Sequence, residues 1–127
     1  MVYVIIDTSS ILFGFSFNKN VFEAAARKFP GYRPIVSRGI IHELASFSAQ
    51  KGKRGENARI ALAELKAKKI DVDNISKHAD SWVLDFSLKE RGSIVITNDT
   101  ALARKLASEG IKVYKMSKSG MLKIFNE

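Results

Sequence analysis

The sequence predicts an α/β fold, specifically a three-layer α/β/α sandwich around a central parallel sheet of about five strands. Short runs of β-branched and apolar residues alternate with segments of helical spacing, which is typical of a parallel sheet between helices. The runs show no polar alternation, as expected for strands that are covered on both faces. The chain has 127 residues, and we expect a single domain over residues 1–127.

The first strand is predicted over Val2–Ile6, where β-branched and aromatic residues follow one another. Further strands of the same kind are predicted over Arg33–Ser37, Lys69–Val72, Ser93–Thr97 and Ile111–Met116. Apolar spacings of three and four residues predict the connecting helices. Their expected ranges are Asn20–Phe29, Ile40–Ala49, Glu56–Lys68, Lys77–Glu90 and Thr100–Ser108.

Two groups of aromatic residues lie outside the strands. Trp82 and Phe86 are four residues apart on one predicted helix, and we interpret them as core or oligomer contacts. Phe13, Phe15 and Phe17 alternate after a first helix turn that follows the first strand, and we interpret them as a partly exposed apolar loop. Such a loop offers a surface for self-association.

The composition narrows the classes of function. The chain has 21 Lys and Arg against 13 Asp and Glu, a net charge of +8, which favours a polyanionic partner such as nucleic acid. It has no cysteine, which excludes disulfides, zinc ribbons, cysteine nucleophiles and iron–sulfur sites. The sequence contains no signal peptide and no membrane-spanning run, so we expect a cytoplasmic protein without membrane association.

Acidic residues follow two of the predicted strands. Asp7 comes directly after the first strand and Asp99 closes Thr97-Asn98-Asp99 after the fourth. Ligands of open α/β sheets bind beyond the carboxyl ends of the strands, so both acids are candidate site residues. The alternative is that each acid only caps a helix, since Asp is a favoured N-cap residue.

Two further acids lie on predicted helices that reach the same edge of the sheet. Glu43 is flanked by apolar residues that are expected to be buried, where a charged glutamate is unfavourable unless it has a function. Asp80 lies in the first turns of its helix, where the helix dipole alone also favours an acid. The four carboxylates would repel one another in an empty site, and a divalent cation resolves this.

Oxygen ligands without cysteine or paired histidines suit Mg²⁺ or Mn²⁺. One or two such ions lower the pKa of a bound water and stabilise the oxygen that leaves a phosphorus atom. An acidic pocket of this kind on a basic chain indicates phosphodiester hydrolysis of nucleic acid.

These acids carry a resemblance to a known family. In order and spacing, the motifs Asp7-Thr8-Ser9, Glu43, Ala79-Asp80 and Thr97-Asn98-Asp99 resemble the acidic motifs of PIN-domain nucleases. The resemblance covers essentially the whole chain and implies a PIN-like fold. It also implies a metal-dependent endoribonuclease directed at single-stranded RNA, which leaves 5′-phosphate and 3′-hydroxyl ends. Its catalytic and metal-binding residues would be Asp7, Glu43, Asp80 and Asp99, which hold Mg²⁺ or Mn²⁺.

The same resemblance extends to supporting residues and partners. Ser9 and Asn98 match positions that support the site by hydrogen bonding, and Asp85 matches an additional acid of some branches. The stretch from Ala79 to Lys105 resembles the branch that processes ribosomal RNA precursors. The short format also resembles the toxin ribonucleases of toxin–antitoxin pairs, and we slightly favour the first. The implied partners are RNA, an antitoxin or a pre-ribosomal partner, and a second copy in a homodimer.

Basic residues are the candidate RNA contacts. Lys51, Lys53 and Arg54 are interpreted as a short basic loop that grips RNA phosphates, with a solvated surface loop as the alternative. A second basic stretch with interleaved aromatic residues lies near the C-terminus, and it fits either RNA binding or an edge strand protected by lysines. Its lysines are Lys112, Lys115, Lys118 and Lys123.

Two other functions remain open from the sequence. The first is a catalytically quiet PIN-like module that binds RNA or protein in ribosome maturation. The second is a phospho-receiver domain, which shares the length, the alternation and an acidic Mg²⁺ pocket. A receiver requires adjacent acids after the first strand, whereas Asp7 is followed by Thr8-Ser9-Ser10.

Overall fold

The computed structural model describes residues 2–125, which form six strands and six helices. The strands are β1 (Tyr3–Ile6), β2 (Arg33–Ser37), β3 (Asp71–Asp73), β4 (Ile94–Ile96), β5 (Lys112–Met116) and β6 (Leu122–Ile124). The helices are α1 (Thr8–Ser16), α2 (Val21–Lys28), α3 (Arg38–Ser48), α4 (Lys53–Ala67), α5 (Ala79–Lys89) and α6 (Thr100–Ser108).

The strands form one sheet in the order β3-β2-β1-β4-β5-β6. β1 to β5 are parallel, and β6 runs antiparallel to β5. Because parallel crossovers are right-handed, α1 to α4 cover one face of the sheet and α5 and α6 the other. The predicted three-layer sandwich is therefore confirmed, with one strand more than expected.

The order of the strands reverses direction between β1 and β4. From β1 the chain proceeds outward through β2 to β3, then returns across the sheet to β4 and proceeds outward to β5. A reversal of this kind opens a crevice at the carboxyl ends of the two central strands. A phospho-receiver has the order 2-1-3-4-5 instead, so the observed topology excludes that alternative.

The core lies on the two central strands and the helices above and below them. Val4, Ile5 and Ile6 of β1 are buried, as is Ile94–Ile96 of β4. Trp82 of α5 is also buried, and its indole N–H donates to Asp73 Oδ2 at 2.8 Å. Burial on both faces of the strands is the reason that their sequence shows no polar alternation.

The interpretation of Phe13, Phe15 and Phe17 as a loop was wrong. Residues 8–16 form helix α1, in which Phe15 is buried together with Ile11, four positions earlier. The every-second-residue pattern of phenylalanines obscured this helical spacing. Phe17 alone is exposed, and it follows the end of the helix.

The interpretation of Lys53 and Arg54 as loop residues was also wrong, because α4 begins at Lys53. Gly55 allows this early start. A Cβ atom at Gly55 would lie 1.9 Å from the backbone oxygen of Gln50, so only glycine lets this turn pack on the end of α3. Lys51 precedes the helix, as predicted.

Strand β6 was not predicted. It has three residues, with an exposed lysine between Leu122 and Ile124, and so lacks a continuous apolar run. It forms an edge of the sheet, which agrees with the edge-strand interpretation of Lys123. Within residues 2–125, no helix is long and apolar enough to cross a membrane.

Candidate acidic site at the carboxyl edge of the sheet

Four helices begin at the carboxyl edge of the sheet, and each carries one of the predicted acids. Asp7 and Asp99 occupy the N-cap positions of α1 and α6. Asp80 lies in the first turn of α5, and Glu43 lies in the second turn of α3. Since β1 and β4 are neighbours, Asp7 and Asp99 border the crevice where the strand order reverses.

Asp7 is a buried carboxylate with 3% of its surface exposed. Its side chain makes no capping hydrogen bond to α1, so the capping interpretation does not account for it. Instead its Oδ2 accepts hydrogen bonds from the hydroxyls of Ser9 at 2.7 Å and Thr97 at 2.8 Å. These two bonds fix the carboxylate at the end of β1.

Burial raises the pKa of Asp7 above its ordinary value. The hydrogen bonds from Ser9 and Thr97 act in the opposite direction, and the negative charge of Asp80 raises the pKa further. Asp7 and Asp80 therefore repel each other across the site. A divalent cation between them would relieve this repulsion.

Asp99 caps helix α6 and also contacts Thr97, the residue that donates to Asp7. Its Oδ1 accepts from the backbone N–H of Leu102 at 3.1 Å, which caps α6. Its own backbone N–H donates to Thr97 Oγ1 at 3.1 Å. Thr97 thus joins the two strand-end acids, although it was not among the predicted site residues. Its polar side chain directly after the fully buried β4 was the available signal.

Glu43 has a carboxylate oxygen without a partner. Its Oε1 is buried and accepts no hydrogen bond within the described residues. A Cβ atom at Gly39 would lie 2.3 Å from the backbone oxygen of Lys77, so the start of α3 packs closely on the segment that leads into α5. A buried unpaired carboxylate oxygen is unfavourable, and a cation or a donor would satisfy it.

The hydroxyl oxygen of Thr8 is another unpaired oxygen near this edge, and Thr8 was not among the predicted site residues either. The residue is buried directly after Asp7, and its Oγ1 has no hydrogen-bond partner in residues 2–125. Its position next to Asp7 was the only sequence signal.

Ser9 and Asn98 both belong to the hydrogen-bond network around Asp7. Ser9 Oγ accepts from the Asn98 backbone N–H at 2.9 Å while it donates to Asp7. The Asn98 side chain accepts from Ser10 Oγ at 2.6 Å and from the Met116 N–H at 3.0 Å, and donates to Met116 O at 2.9 Å. Asn98 therefore joins α1 and β5 to the end of β4.

Asp85 lies on the outside of α5. Its Oδ2 pairs with the Lys77 ammonium group at 2.6 Å, and both side chains are largely exposed. The observed contact of this carboxylate is thus with a surface lysine.

Three surface pockets include Asp80, Asp99 or Ser9, the hydrogen-bond partner of Asp7. The first, of about 160 Å³, is lined by Asp80, Leu102 and Lys105 among others. The second, of about 580 Å³, includes Asp99 and three lysines of the C-terminal basic stretch. The third, of about 430 Å³, includes Lys53 and Arg54. Each of the three pockets thus has at least one lysine or arginine in its lining. The lysines of the second pocket are Lys115, Lys118 and Lys123.

The donor set fits a hard divalent cation in its chemistry, because it consists of carboxylates with hydroxyl groups beside them. The unpaired Glu43 oxygen and the repulsion between Asp7 and Asp80 also fit. Within residues 2–125, no group of three or more histidine, cysteine, aspartate or glutamate side chains is arranged to hold a metal ion. The four acids therefore share an edge of the sheet without forming a compact ligand shell.

Comparisons with known proteins agree with this architecture. Residues 4–118 match the family described as "PIN like domain". The fold is similar to that of the solved "PIN domain endonuclease Utp24", with a TM-score of 0.80 and 22% identity over 98% of this chain and 92% of that chain.

A second similar structure is a domain of a functionally unknown protein from Methanocaldococcus jannaschii, with a TM-score of 0.67 and 19% identity over 92% of each chain. No curated protein sequence matches. On the family match over residues 4–118, the chain belongs to the family of PIN-like domains.

Proposed function

We propose that this PIN-like domain is a metal-dependent endoribonuclease that hydrolyses RNA phosphodiester bonds. Asp7, Glu43, Asp80 and Asp99 would hold one or two Mg²⁺ or Mn²⁺ ions. The observation that carries the proposal is the buried Asp7 carboxylate at the reversal point of the sheet, whose pKa is raised by burial and by Asp80. Two carboxylates that repel each other in the free protein are stabilised when a cation binds both, so this repulsion supports a metal-binding function.

The contacts of Asp7 and Asp99 indicate the role of each residue in the proposed reaction. When bound, the cation supplies an activated water and stabilises the oxygen that leaves the phosphorus atom. The Ser9 and Thr97 hydroxyls hold one oxygen of Asp7 in place. The Asp99 carboxylate is held at the start of α6 by its capping bond from Leu102, and the Asp99 backbone is held by Thr97. These bonds orient the acids before substrate binds, which is the arrangement that efficient catalysis requires.

The charge distribution supports an RNA substrate. The net charge of +8 is positive despite the acidic site. Lysines line the pocket that includes Asp99, and Lys53 and Arg54 line the pocket that includes Ser9, the hydrogen-bond partner of Asp7. Phosphate groups of a nucleic acid bind to such cations with little dependence on sequence. Lys51, Lys53 and Arg54 remain our proposed RNA contacts, now with two of them on α4.

The biological substrate is a further part of the proposal. The likeness of residues 79–105 to the ribosomal RNA-processing branch supports precursor ribosomal RNA over the targets of a toxin. Three partners also remain predictions. They are a pre-ribosomal partner, an antitoxin and a second copy of this chain in a homodimer.

A catalytically quiet RNA- or protein-binding module is the second candidate. It is favoured by the spread of the four acids, which form no compact group in the described residues. The unpaired Glu43 oxygen argues for the nuclease, since a binding module gains nothing from it.

The test is cleavage of a panel of single-stranded and structured RNAs with Mn²⁺, Mg²⁺ or EDTA. We expect the wild type to cut single-stranded RNA only with metal, and Asp7→Asn and Asp99→Asn to lose cleavage while they remain folded. Asp71→Asn is the matched control, because Asp71 lies at the start of β3, at the opposite edge of the sheet from the site, and pairs with Arg33 of β2. Ends other than 5′-phosphate and 3′-hydroxyl, such as 2′,3′-cyclic phosphates, would contradict the mechanism. Salt-dependent binding without cleavage would establish the binding module instead.

A further inference from the structure

The pocket between α1 and α4 has features that the acidic site does not explain. It has a volume of about 430 Å³. Its α1 residues are spaced as one helix face, and the first of them, Ser9, also bonds Asp7. The pocket therefore starts beside the acidic site and runs along α1 for about 10 Å. Its lining residues are Ser9, Leu12, Phe13 and Ser16 of α1 and Lys53, Arg54 and Asn57 of α4.

Asn57 is a buried polar residue of this pocket without a partner for its amide oxygen. It is 3% exposed, and its Oδ1 receives no hydrogen bond within residues 2–125. An amide oxygen left in this state costs free energy on folding, and native proteins rarely retain one without a reason. A ligand that donates a hydrogen bond would supply the missing partner.

The other residues of the pocket indicate what that ligand is. Lys53 and Arg54 are exposed cations in the first turn of α4, suited to a phosphate. The guanidinium of Arg54 lies 5.2 Å from the centroid of the Phe47 ring, which holds it near the pocket. Phe13 is half-buried on the opposite wall and offers a ring on which a base can stack.

We propose that this pocket binds one nucleotide of single-stranded RNA and that Asn57 Oδ1 accepts a hydrogen bond from its ribose 2′-hydroxyl. Asn57 lies one helical turn after Lys53, so its amide is close to the group that grips the phosphate. The ribose is the part of a nucleotide next to its phosphate. The 2′-hydroxyl can donate whichever base is present, and DNA lacks it.

The inference rests on the proposed function for its substrate class and adds the basis of a preference for RNA over DNA. A deoxynucleotide in the pocket leaves the Asn57 oxygen buried and unpaired. The site therefore selects the sugar at one position, next to the scissile phosphate, and is indifferent to the base there.

Binding of labelled eight-nucleotide oligonucleotides in EDTA tests this without any cleavage. One series is RNA in which a single 2′-deoxynucleotide is placed at each position in turn. We expect one position at which the deoxy substitution weakens binding to the wild type about tenfold. In Asn57→Leu, which has a similar size and no polar atom, RNA should bind about tenfold more weakly. The deoxy substitution should then have no further effect.

Several variants act as controls. Asn57→Leu should fold normally because it removes an unpaired buried atom, and Asn57→Ala serves where leucine is too bulky. Lys53→Ala should weaken binding of RNA and of the deoxy series equally, with a smaller dependence on salt. Lys66→Ala, exposed in the last turn of the same helix, should leave binding unchanged.

The proposal is overturned where no position is sensitive to the deoxy substitution. It is equally overturned where that sensitivity persists in both Asn57 variants, or where exchange of the base has the larger effect. The outcome is separable from the proposed function. A wild type that cuts RNA with Mn²⁺ but binds the RNA and deoxy series alike disproves only the role of Asn57. Asn57-dependent sugar selection without any metal-dependent cleavage disproves only the nuclease.

Discussion

The hydroxyl of Thr97 donates a hydrogen bond to the carboxylate of Asp7 at 2.8 Å, between residues that are 90 positions apart in the sequence. Both residues are almost fully buried. The bond joins the ends of β1 and β4 at the point where the order of the strands reverses. It therefore fixes the most buried acid of the candidate site in both position and orientation.

Replacement of Thr97 by valine should destabilise the protein and impair the site. Valine keeps the shape but removes the donor to Asp7 and the acceptor for the Asp99 N–H. We expect the free energy of unfolding in urea to fall by about 1–3 kcal/mol, as for other buried hydrogen bonds. RNA cleavage should fall as well.

Thr8→Val is the matched control for this experiment. The Thr8 hydroxyl is buried next to Asp7 but has no hydrogen-bond partner among residues 2–125, so its removal should leave the stability unchanged or raise it. Equal destabilisation by the two variants would show that the loss in Thr97→Val does not come from its hydrogen bonds.

Asp7 should make the stability of the protein depend on pH. Because its native-state pKa lies above the ordinary value of 3.8, the ionised carboxylate lowers stability at neutral pH. This penalty disappears as the pH falls through the raised native pKa and is absent below the unfolded value. Asp7→Asn, which keeps an acceptor oxygen, should therefore melt at a higher temperature than the wild type at pH 7 without metal.

Thermal unfolding of both proteins from pH 7 to pH 3 checks this prediction. The difference in melting temperature between Asp7→Asn and the wild type should shrink towards the acidic end. A difference that is constant with pH, or a variant less stable at pH 7, would show that the charge of Asp7 is not what destabilises the native state.

Much of the fold follows from the local sequence pattern. β1 and β2 have continuous apolar runs, and their predicted bounds agree with the structure to within one residue. The elements that were missed depend on long-range packing. β6 pairs with β5 through only three residues. In α1, Ile11 and Phe15 are buried at helical spacing, but phenylalanines at every second position made the sequence look unlike a helix.

The site shows the same limit. The positions of Asp7 and Asp99 after buried strands were sufficient to place both at one edge of the sheet. The partner of each polar atom was not predictable, because Thr97 and Asp7 meet only through the pairing of β1 with β4. The unpaired oxygen of Asn57 was likewise invisible, since a buried asparagine in a helix looks like any surface residue in the sequence.

Asn98 should stabilise the contact between the carboxyl ends of β4 and β5. Asn98→Leu removes three hydrogen bonds, one to Ser10 and two to the backbone of Met116. We expect a loss of about 2 kcal/mol or more in the free energy of unfolding. We also expect faster hydrogen exchange at the Met116 amide. Asn74→Leu, which removes only an exposed contact with Arg38, should do neither.

Asp85 should contribute little to cleavage. Its carboxylate is exposed and paired with Lys77, and exposed ion pairs contribute at most about 1 kcal/mol. Asp85→Asn should therefore lower the free energy of unfolding by at most about 1 kcal/mol. Because this carboxylate is held at the surface by Lys77, the cleavage rate should be nearly unchanged. A loss as large as that of Asp7→Asn would show that Asp85 turns towards the site when RNA binds.

Glu43 should reveal whether the site binds a metal ion independently of any cleavage. Its buried Oε1 has no hydrogen-bond donor in the described part of the chain, so Glu43→Gln should not lower the melting temperature in EDTA. Addition of Mn²⁺ should raise the melting temperature of the wild type, since an ion that binds only the native state at one hundred times its Kd adds about 2.7 kcal/mol. The rise should be much smaller in Glu43→Gln, and unchanged in Asp71→Asn, whose carboxylate already pairs with Arg33. An equal rise in all three proteins would place the Mn²⁺ elsewhere on the surface and remove Glu43 from the ligand set.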